Sequence, residues 1–282
     1  MERQKRVAAI HDISCFGRCS LTVALPILSA AGIECAVLPT AALSTHTGGL
    51  AGYTYRDLTD DILPIFEHWQ SLGLEFDAAY SGFLGSPEQL EIVSGIFGAL
   101  SARGALIVVD PVMADNGELY ATFSRAFPAG MRALCEKADI ILPNMTEAAL
   151  LLGEPYRAAP YTREYAEGLL RRLAALPSRA VVLTGVQLDA DKLGAAAIDV
   201  RTGKIDYATA EKIPGSYHGT GDIFASAFTA CAVAGRPVRD ALEIAVDFTV
   251  RSIARTKKAG TDVRFGVNFE AGLGEFARNF GA

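Results

Sequence analysis

The sequence predicts an α/β protein with a central, mostly parallel sheet flanked by helices. Short apolar runs rich in Val, Ile and Leu alternate with longer amphipathic segments, which is the pattern of βαβ units. The runs are nearly unbroken, as expected of strands covered on both faces. Half of the 282 residues are hydrophobic, enough for a sizeable core. No internal repeat, low-complexity segment or linker marks a boundary, so residues 1–282 read as a single domain.

The elements follow in order. The first strand is "RVAAI" (6–10), with a helix over 20–31 behind it. "CAVLP" (35–39) is the second strand, and a helix is expected at 58–72. "DAAYS" (77–81) precedes a helix at 87–102, and "ALIVVD" (105–110) one at 122–137. "DIILP" (139–143) leads into 146–153 and then 162–176, both helical. After "AVVLT" (180–184), the stretch "GAAAIDVRTGKIDYAT" breaks the alternation. Its two short runs around Thr202-Gly203 predict a hairpin. Helices near 221–234 and 237–256 finish the chain.

Composition narrows the function. The net charge is −6, and no basic run offsets it; Lys257 and Lys258 with Arg255 read as a solvated helix end. A nucleic-acid partner is therefore not expected. No apolar stretch approaches the roughly 18–20 residues needed to span a bilayer. The basic start runs into only four apolar residues, Val7 to Ile10, before His11 and Asp12, too few for a secretory segment. A cytoplasmic protein is expected. The five cysteines are scattered and odd in number, so no disulfide framework follows. His11, Cys15 and Cys19 share a four-residue spacing, but no second ligand pair follows. Buried or incidental thiols are the expectation there.

The polar clusters that follow the strands carry the chemistry. In open parallel sheets, ligands bind beyond the carboxyl ends of the strands. Asp110, Asp115, Asn144, Glu147 and Thr184 fall on that rim. The carboxylates could hold Mg²⁺, which takes one or two carboxylates and keeps several waters. They also have ordinary readings: "NMTE" is spaced as a capping box, and "ADNGE" suits a turn. "GTGD" (219–222) opens the first of the last two helices. Gly219 and Gly221 make a tight turn there, and Asp222 suits a helix cap. The same arrangement makes an anion site, with free N–H groups at a helix start and a carboxylate able to take a hydroxyl proton. It lacks the Lys-Ser/Thr of a Walker loop and the position of a dinucleotide fingerprint. The segments "HDISCFGRCSL" (11–21) and "LSTHTGG" (43–49) could line a small-molecule pocket. His46 alone suits a structural hydrogen bond equally well, and Tyr53, Tyr55 and Trp69 suit packing.

Together the motifs resemble the ribokinase-like kinases: "STHTG", "DPV", "PNxxE", "LTG" and "GTGD", in that order over nearly the whole chain. Within that superfamily, "STHTG" and "DPVMAD" are similar to the vitamin B6 kinases. The resemblance implies a ribokinase-like three-layer fold, usually as a homodimer. It implies ATP-dependent phosphorylation of the 5′-hydroxymethyl group of pyridoxal, pyridoxamine or pyridoxine, with Mg²⁺ and often a monovalent cation such as K⁺. Asp222 would be the base, with Gly219, Thr220 and Gly221 forming the anion hole. Asn144, Thr184, Gly185 and Gly221 would lie at the nucleotide phosphates, and Asp110, Asp115 and Glu147 around Mg²⁺. Thr47 and Phe83 would sit by the pyridine ring. Asp12 would be a substrate-binding residue too, and there one position departs: many pyridoxal kinases have Ser, contacting the pyridine ring, where this chain has Asp12. An aspartate there is similar to the hydroxymethylpyrimidine kinases of thiamine synthesis, which tend to carry a Gln-containing segment in place of "STHTG". A pyrimidine kinase and a non-catalytic B6-binding protein are the alternatives.

Overall fold

Strands and helices alternate in the computed structural model, which describes residues 3–281. Met1, Glu2 and Ala282, the ends of the expected domain, lie outside the described residues. The first strand, β1 (Arg6–Phe16), leads into α1 (Leu21–Ala30), then β2 (Glu34–Thr45), β3 (Tyr55–Asp57) and α2 (Thr59–Ser71). The middle of the chain holds β4 (Ala78–Ser81), α3 (Pro87–Ser101), β5 (Leu106–Val109), β6 (Ala114–Asp115), β7 (Glu118–Leu119) and α4 (Phe127–Cys135). Next come β8 (Ile140–Ile141), α5 (Met145–Leu152), α6 (Arg163–Leu173), β9 (Ala180–Val186), β10 (Lys192–Asp199) and β11 (Ile205–Glu211). Helices α7 (Thr220–Val233), α8 (Val238–Ala259) and the short α9 (Leu273–Ala277) complete the chain.

One nine-stranded sheet runs in the order β11-β10-β9-β8-β5-β4-β1-β2-β3. The six strands from β9 to β2 in that order pair in parallel. β10, β11 and β3 run antiparallel to their neighbours. Side chains alternate across β1: Ala8 and Ile10 enter the core beneath α2 to α6, whereas Val7 enters the core beneath α1, α7 and α8. The sheet is thus the middle of three layers, as the resemblance implied. The hairpin at Thr202-Gly203 joins β10 to β11, with Gly203 at φ +70.

Three expectations need correction. The first two strands do not stop at Ile10 and Pro39. They stay paired out to Phe16 and Thr45, so residues 11–16 and 43–45 of the two polar segments are strand. Pairing carries the polar ends because each strand supplies the other's backbone partners. The edge strand β3, whose residues are all exposed, was not expected; with no buried face it has no apolar alternation to read. Helix α4 starts at Phe127 rather than 122, because residues 114–119 form a small antiparallel ladder and Pro128 sets the helical start.

Candidate active site

The "PNMTE" segment is built around its own helix start. Asn144 caps α5, its side chain accepting from the Thr146 and Glu147 amides at 2.8 and 2.9 Å. Glu147 reaches back to accept from the Asn144 amide at 2.8 Å, completing a capping box. Its other oxygen accepts from the Met113 amide at 3.1 Å, and Asn144 Nδ2 donates to the Ala114 carbonyl at 2.8 Å. The box therefore ties α5 to the loop that carries Asp115. A parallel bridge between Asn144 and Thr184 joins the start of α5 to β9.

The "GTGD" turn is built differently from the simplest sequence reading. Gly219, not Asp222, is the N-cap of α7, and Asp222 sits three residues into the helix. Gly219 has φ +73, and a Cβ there would lie 2.0 Å from the Arg18 carbonyl oxygen. Only glycine fits that position. At Gly221 a Cβ would meet nothing within 4 Å. The space beside it is open, and the first-turn N–H groups of the helix have no acceptor within the helix. Thr220 Oγ1 donates to the Tyr217 carbonyl at 3.1 Å and steadies the turn.

These parts meet in one cleft of about 440 Å³. Asp110, Asp115, Asn144, Glu147, Thr184, Gly185 and Gly219 to Asp222 all line it. Asp12, Thr47 and Phe83, expected at the substrate, do not. Thr47 is exposed in the loop after β2. That loop approaches the GTGD turn through His46, whose ring centroid lies 5.1 Å from that of His218. Phe83 is half-buried, with Phe123 at 5.5 Å between centroids. Asp12 is buried and electrostatically coupled to Asp222.

Sequence reasoning missed several lining residues. Val246, Thr249, Val250 and Ile253 form one face of α8 and, with Leu193, an apolar wall. Their spacing of three and four was legible, but its direction depends on how α8 packs against β10 and β11. Lys212 is the only Lys or Arg among the residues lining the cleft. His218 lines it too, and a histidine before a glycine turn carried no signal of its own.

The cleft gathers negative charge. Asp110 and Glu147 are buried, and none of Asp12, Asp110, Glu147 or Asp222 joins an ion pair among the described residues. Burial pushes Asp222 up to about 7, Asp12 adds to the rise, and the Ser20 amide opposes it. Glu147 rises to about 8 through burial, against the hydrogen bonds from its backbone donors. Asp110 rises well above its usual range through burial and then the charges of Glu147 and Asp222. Carboxylates held this way favour an incoming cation.

No three His, Cys, Asp or Glu side chains stand close enough to cage a metal among the described residues. Both Glu147 oxygens already accept amides, and both Asp115 oxygens accept from Asn116. Asp110 accepts no side-chain hydrogen bond among the described residues. The donor set suits a magnesium ion that keeps waters and phosphate oxygens in its shell, rather than a resident metal.

A family model described as phosphomethylpyrimidine kinase matches residues 56–266, three quarters of the chain. The chain belongs to the phosphomethylpyrimidine kinase family. Among solved structures it is similar to a Bacteroides thetaiotaomicron protein provisionally described as a phosphomethylpyrimidine kinase and crystallised with pyridoxal. That likeness is 38% identity and a TM-score of 0.91, covering 99% of this chain and 96% of the other. It is also similar to pyridoxal kinase from Lactobacillus plantarum, at 35% identity and a TM-score of 0.88, over 98% and 97% of the two chains. A pyridoxine/pyridoxal/pyridoxamine kinase of Bordetella avium is 28% identical over 90% of this chain and 86% of its own.

Proposed function

We propose that this protein is an ATP-dependent vitamin B6 kinase, carried by a single domain, that phosphorylates the 5′-hydroxymethyl group of pyridoxal, pyridoxine or pyridoxamine. The observation that carries the proposal is the placement of Asp222. It stands in the first turn of α7, lines the cleft together with Gly221, and feels the charge of Asp12. The resemblance to B6 kinases along the chain supports the choice of substrate.

In this mechanism the apolar wall of α8 receives the nucleotide base, and Thr184 and Gly185 approach its phosphates. The γ-phosphoryl group lies over the N–H groups of Thr220, Gly221 and Asp222, where free donors and the helix dipole favour negative charge. Asp110, with Asp115 and Glu147 lining the same cleft, would hold a magnesium ion, which would supply positive charge against that of the phosphates. Asp222 accepts the proton of the hydroxymethyl group as its oxygen bonds to the γ-phosphorus. The bond from that phosphorus to the β–γ bridging oxygen breaks, and ADP leaves with the bonding pair. A base with a pKa of about 7 is well matched to this task near neutrality. Thr47 and Phe83 would border the ring. The resemblance alone extends the proposal to a K⁺ requirement, a homodimer and a cytoplasmic setting. A K⁺ titration of the rate and sedimentation check the first two.

The test is ADP release with Mg·ATP against the three B6 vitamers and hydroxymethylpyrimidine. Turnover on a B6 vitamer supports the proposal. Turnover on the pyrimidine alone would overturn it in favour of thiamine synthesis, and tight B6 binding without ADP release would make the protein a binder.

A further inference from the structure

A bulge at Asp12 breaks the β1–β2 register between His11 and Ile13, and such a bulge re-aims a side chain. Just before it, the His11 ring meets the Tyr80 ring of β4 edge-on, at 4.4 Å between centroids. Tyr80 belongs to the core beneath α1, α7 and α8. Burial pushes its hydroxyl well up, the charges of Asp110 and Asp222 add to the rise, and Ser226 of α7 beside it eases it. Polar atoms accumulate between β4 and α7: both His11 ring nitrogens, Tyr80 Oη, Ser226 Oγ and Thr229 Oγ1. None has a hydrogen-bond partner among the described residues, and all four side chains are fully buried.

A buried Ser or Thr inside a helix can give its hydroxyl to the carbonyl one turn back. Thr249, Ser252 and Thr256 of α8 all do so, at 2.8 Å each. Ser226 and Thr229 do not, although α7 offers them the carbonyls of Asp222 and Ala225. Their hydroxyls are turned away from their own helix. Ser226 lies four residues after Asp222 and three before Thr229, so the three share one face of α7. Tyr80 thus meets that face one turn below the base. A buried hydroxyl left without a partner is costly, and a water that finds about two to four polar partners relieves the cost. Tyr80, Ser226 and Thr229 supply such a set.

We propose that an ordered water is bound between β4 and α7 by Tyr80 Oη, Ser226 Oγ and Thr229 Oγ1, and that through it Tyr80 is a positioning residue for the turn that carries Asp222. The positioning role rests on the B6-kinase reading; the water site does not. The water ties α7 to the sheet just below the base, in a dry core where each hydrogen bond is stronger than it would be in solution. Proton transfer from the hydroxymethyl group needs Asp222 within hydrogen-bond reach, so a small shift of this turn is felt in the rate. Tyr80 itself does not line the cleft and acts only through the helix.

Two measurements test it. The first is a high-resolution crystal structure of the wild-type protein. Density for a water within hydrogen-bond distance of Tyr80 Oη and Ser226 Oγ is expected; a direct bond between the two hydroxyls, with no water, overturns the site. The second is steady-state kinetics of Tyr80→Phe, or Ser226→Ala if that variant does not fold, alone and combined with Asp222→Asn. Phenylalanine keeps the ring packing and removes only the hydroxyl. The expected result is a kcat lower by about ten-fold or more, with both KM values within about two-fold, and no further loss when residue 222 is already Asn. An unchanged kcat overturns the positioning role, and so does an equal loss in both backgrounds, which a merely structural hydroxyl would give. In those cases the wild-type enzyme still turns over vitamers, so the kinase reading survives. No turnover of any vitamer by the wild type removes that reading and the positioning role together, and the crystal structure then decides the water site alone.

Discussion

At the scale of single residues, Asp222, Gly219 and Gly221 share one motif and do three different things. Asp222→Asn keeps the shape of the side chain and removes the proton acceptor, so kcat should fall by about 10²–10⁴-fold with ADP binding intact. The pH profile of kcat/KM adds a sign. A base works ionised, so the rate should fall as pH drops through about 7, and that acid limb should be absent from the residual rate of the variant. Gly219→Ala drives a Cβ into the Arg18 carbonyl at a left-handed backbone position, and the folded protein should lose about 1–3 kcal/mol, read by denaturant unfolding. Gly221→Val meets open space, so the unfolding midpoint should hold while KM for ATP rises and the rate falls. Equal stability losses in both glycine variants would make the turn structural alone. This much of the site was legible in sequence, because two glycines before a carboxylate and an apolar helix have few physical readings. What could not be read was which glycine is sterically required, since Arg18 lies two hundred residues away in the chain. The loss of Asp222 from the N-cap position has the same origin: the cap is set by Gly219 turning back against Arg18.

At the scale of elements, the capping box of α5 does more than start a helix. Asn144 also holds the Ala114 carbonyl, and Glu147 the Met113 amide, so the box fixes the loop that carries Asp115. Asn144→Ala should therefore lose about 1–2 kcal/mol, the usual worth of a cap, and should also raise KM for Mg·ATP. A cap that served the helix alone would leave KM unmoved, and steady-state kinetics beside an unfolding curve separates the two. The box was legible because its partners lie three residues apart. Its grip on Met113 and Ala114 was not, because those contacts cross about thirty residues. The fold shows the same division. The parallel strands could be read from their apolar runs, as could the hairpin at Thr202-Gly203. The extensions of β1 and β2 beyond Ile10 and Pro39 could not, since their stability comes from each other's backbone rather than from apolar side chains. The bulge at Asp12 belongs to that hidden part and decides where the carboxylate points.

At the scale of the whole molecule, charge is distributed so that the unliganded fold should resent alkaline conditions. Asp222 titrates near 7 in the folded chain against an ordinary value of 3.8, and Glu147 near 8 against 4.5. Each folded carboxyl keeps its proton over a range in which the unfolded one has lost it. The folded state then binds more protons, so stability falls with rising pH across that window. The stabilisation is fully present below the unfolded values and is lost as pH passes the folded ones. His11 works on the other side. It is fully buried against Tyr80, with ring centroids 4.4 Å apart, and burial pushes it down to about 3 from 6.5. Its contribution rises as pH climbs toward 6.5 and is constant above, so it offsets part of the carboxylate slope only on the acid side. The melting temperature of the free protein should accordingly fall most steeply between about pH 6.5 and about pH 7, where both carboxyls still lose stabilisation and His11 no longer offsets them, and should go on falling to about pH 8. Glu147→Gln, which keeps an acceptor for one of the two amides but cannot ionise, should flatten that segment. Saturating Mg·ADP should flatten it as well, because a bound cation meets the carboxylates in their charged form. A melting temperature that is level across this range in the free protein would mean that these groups ionise without cost, and that the cleft is better solvated than its burial indicates.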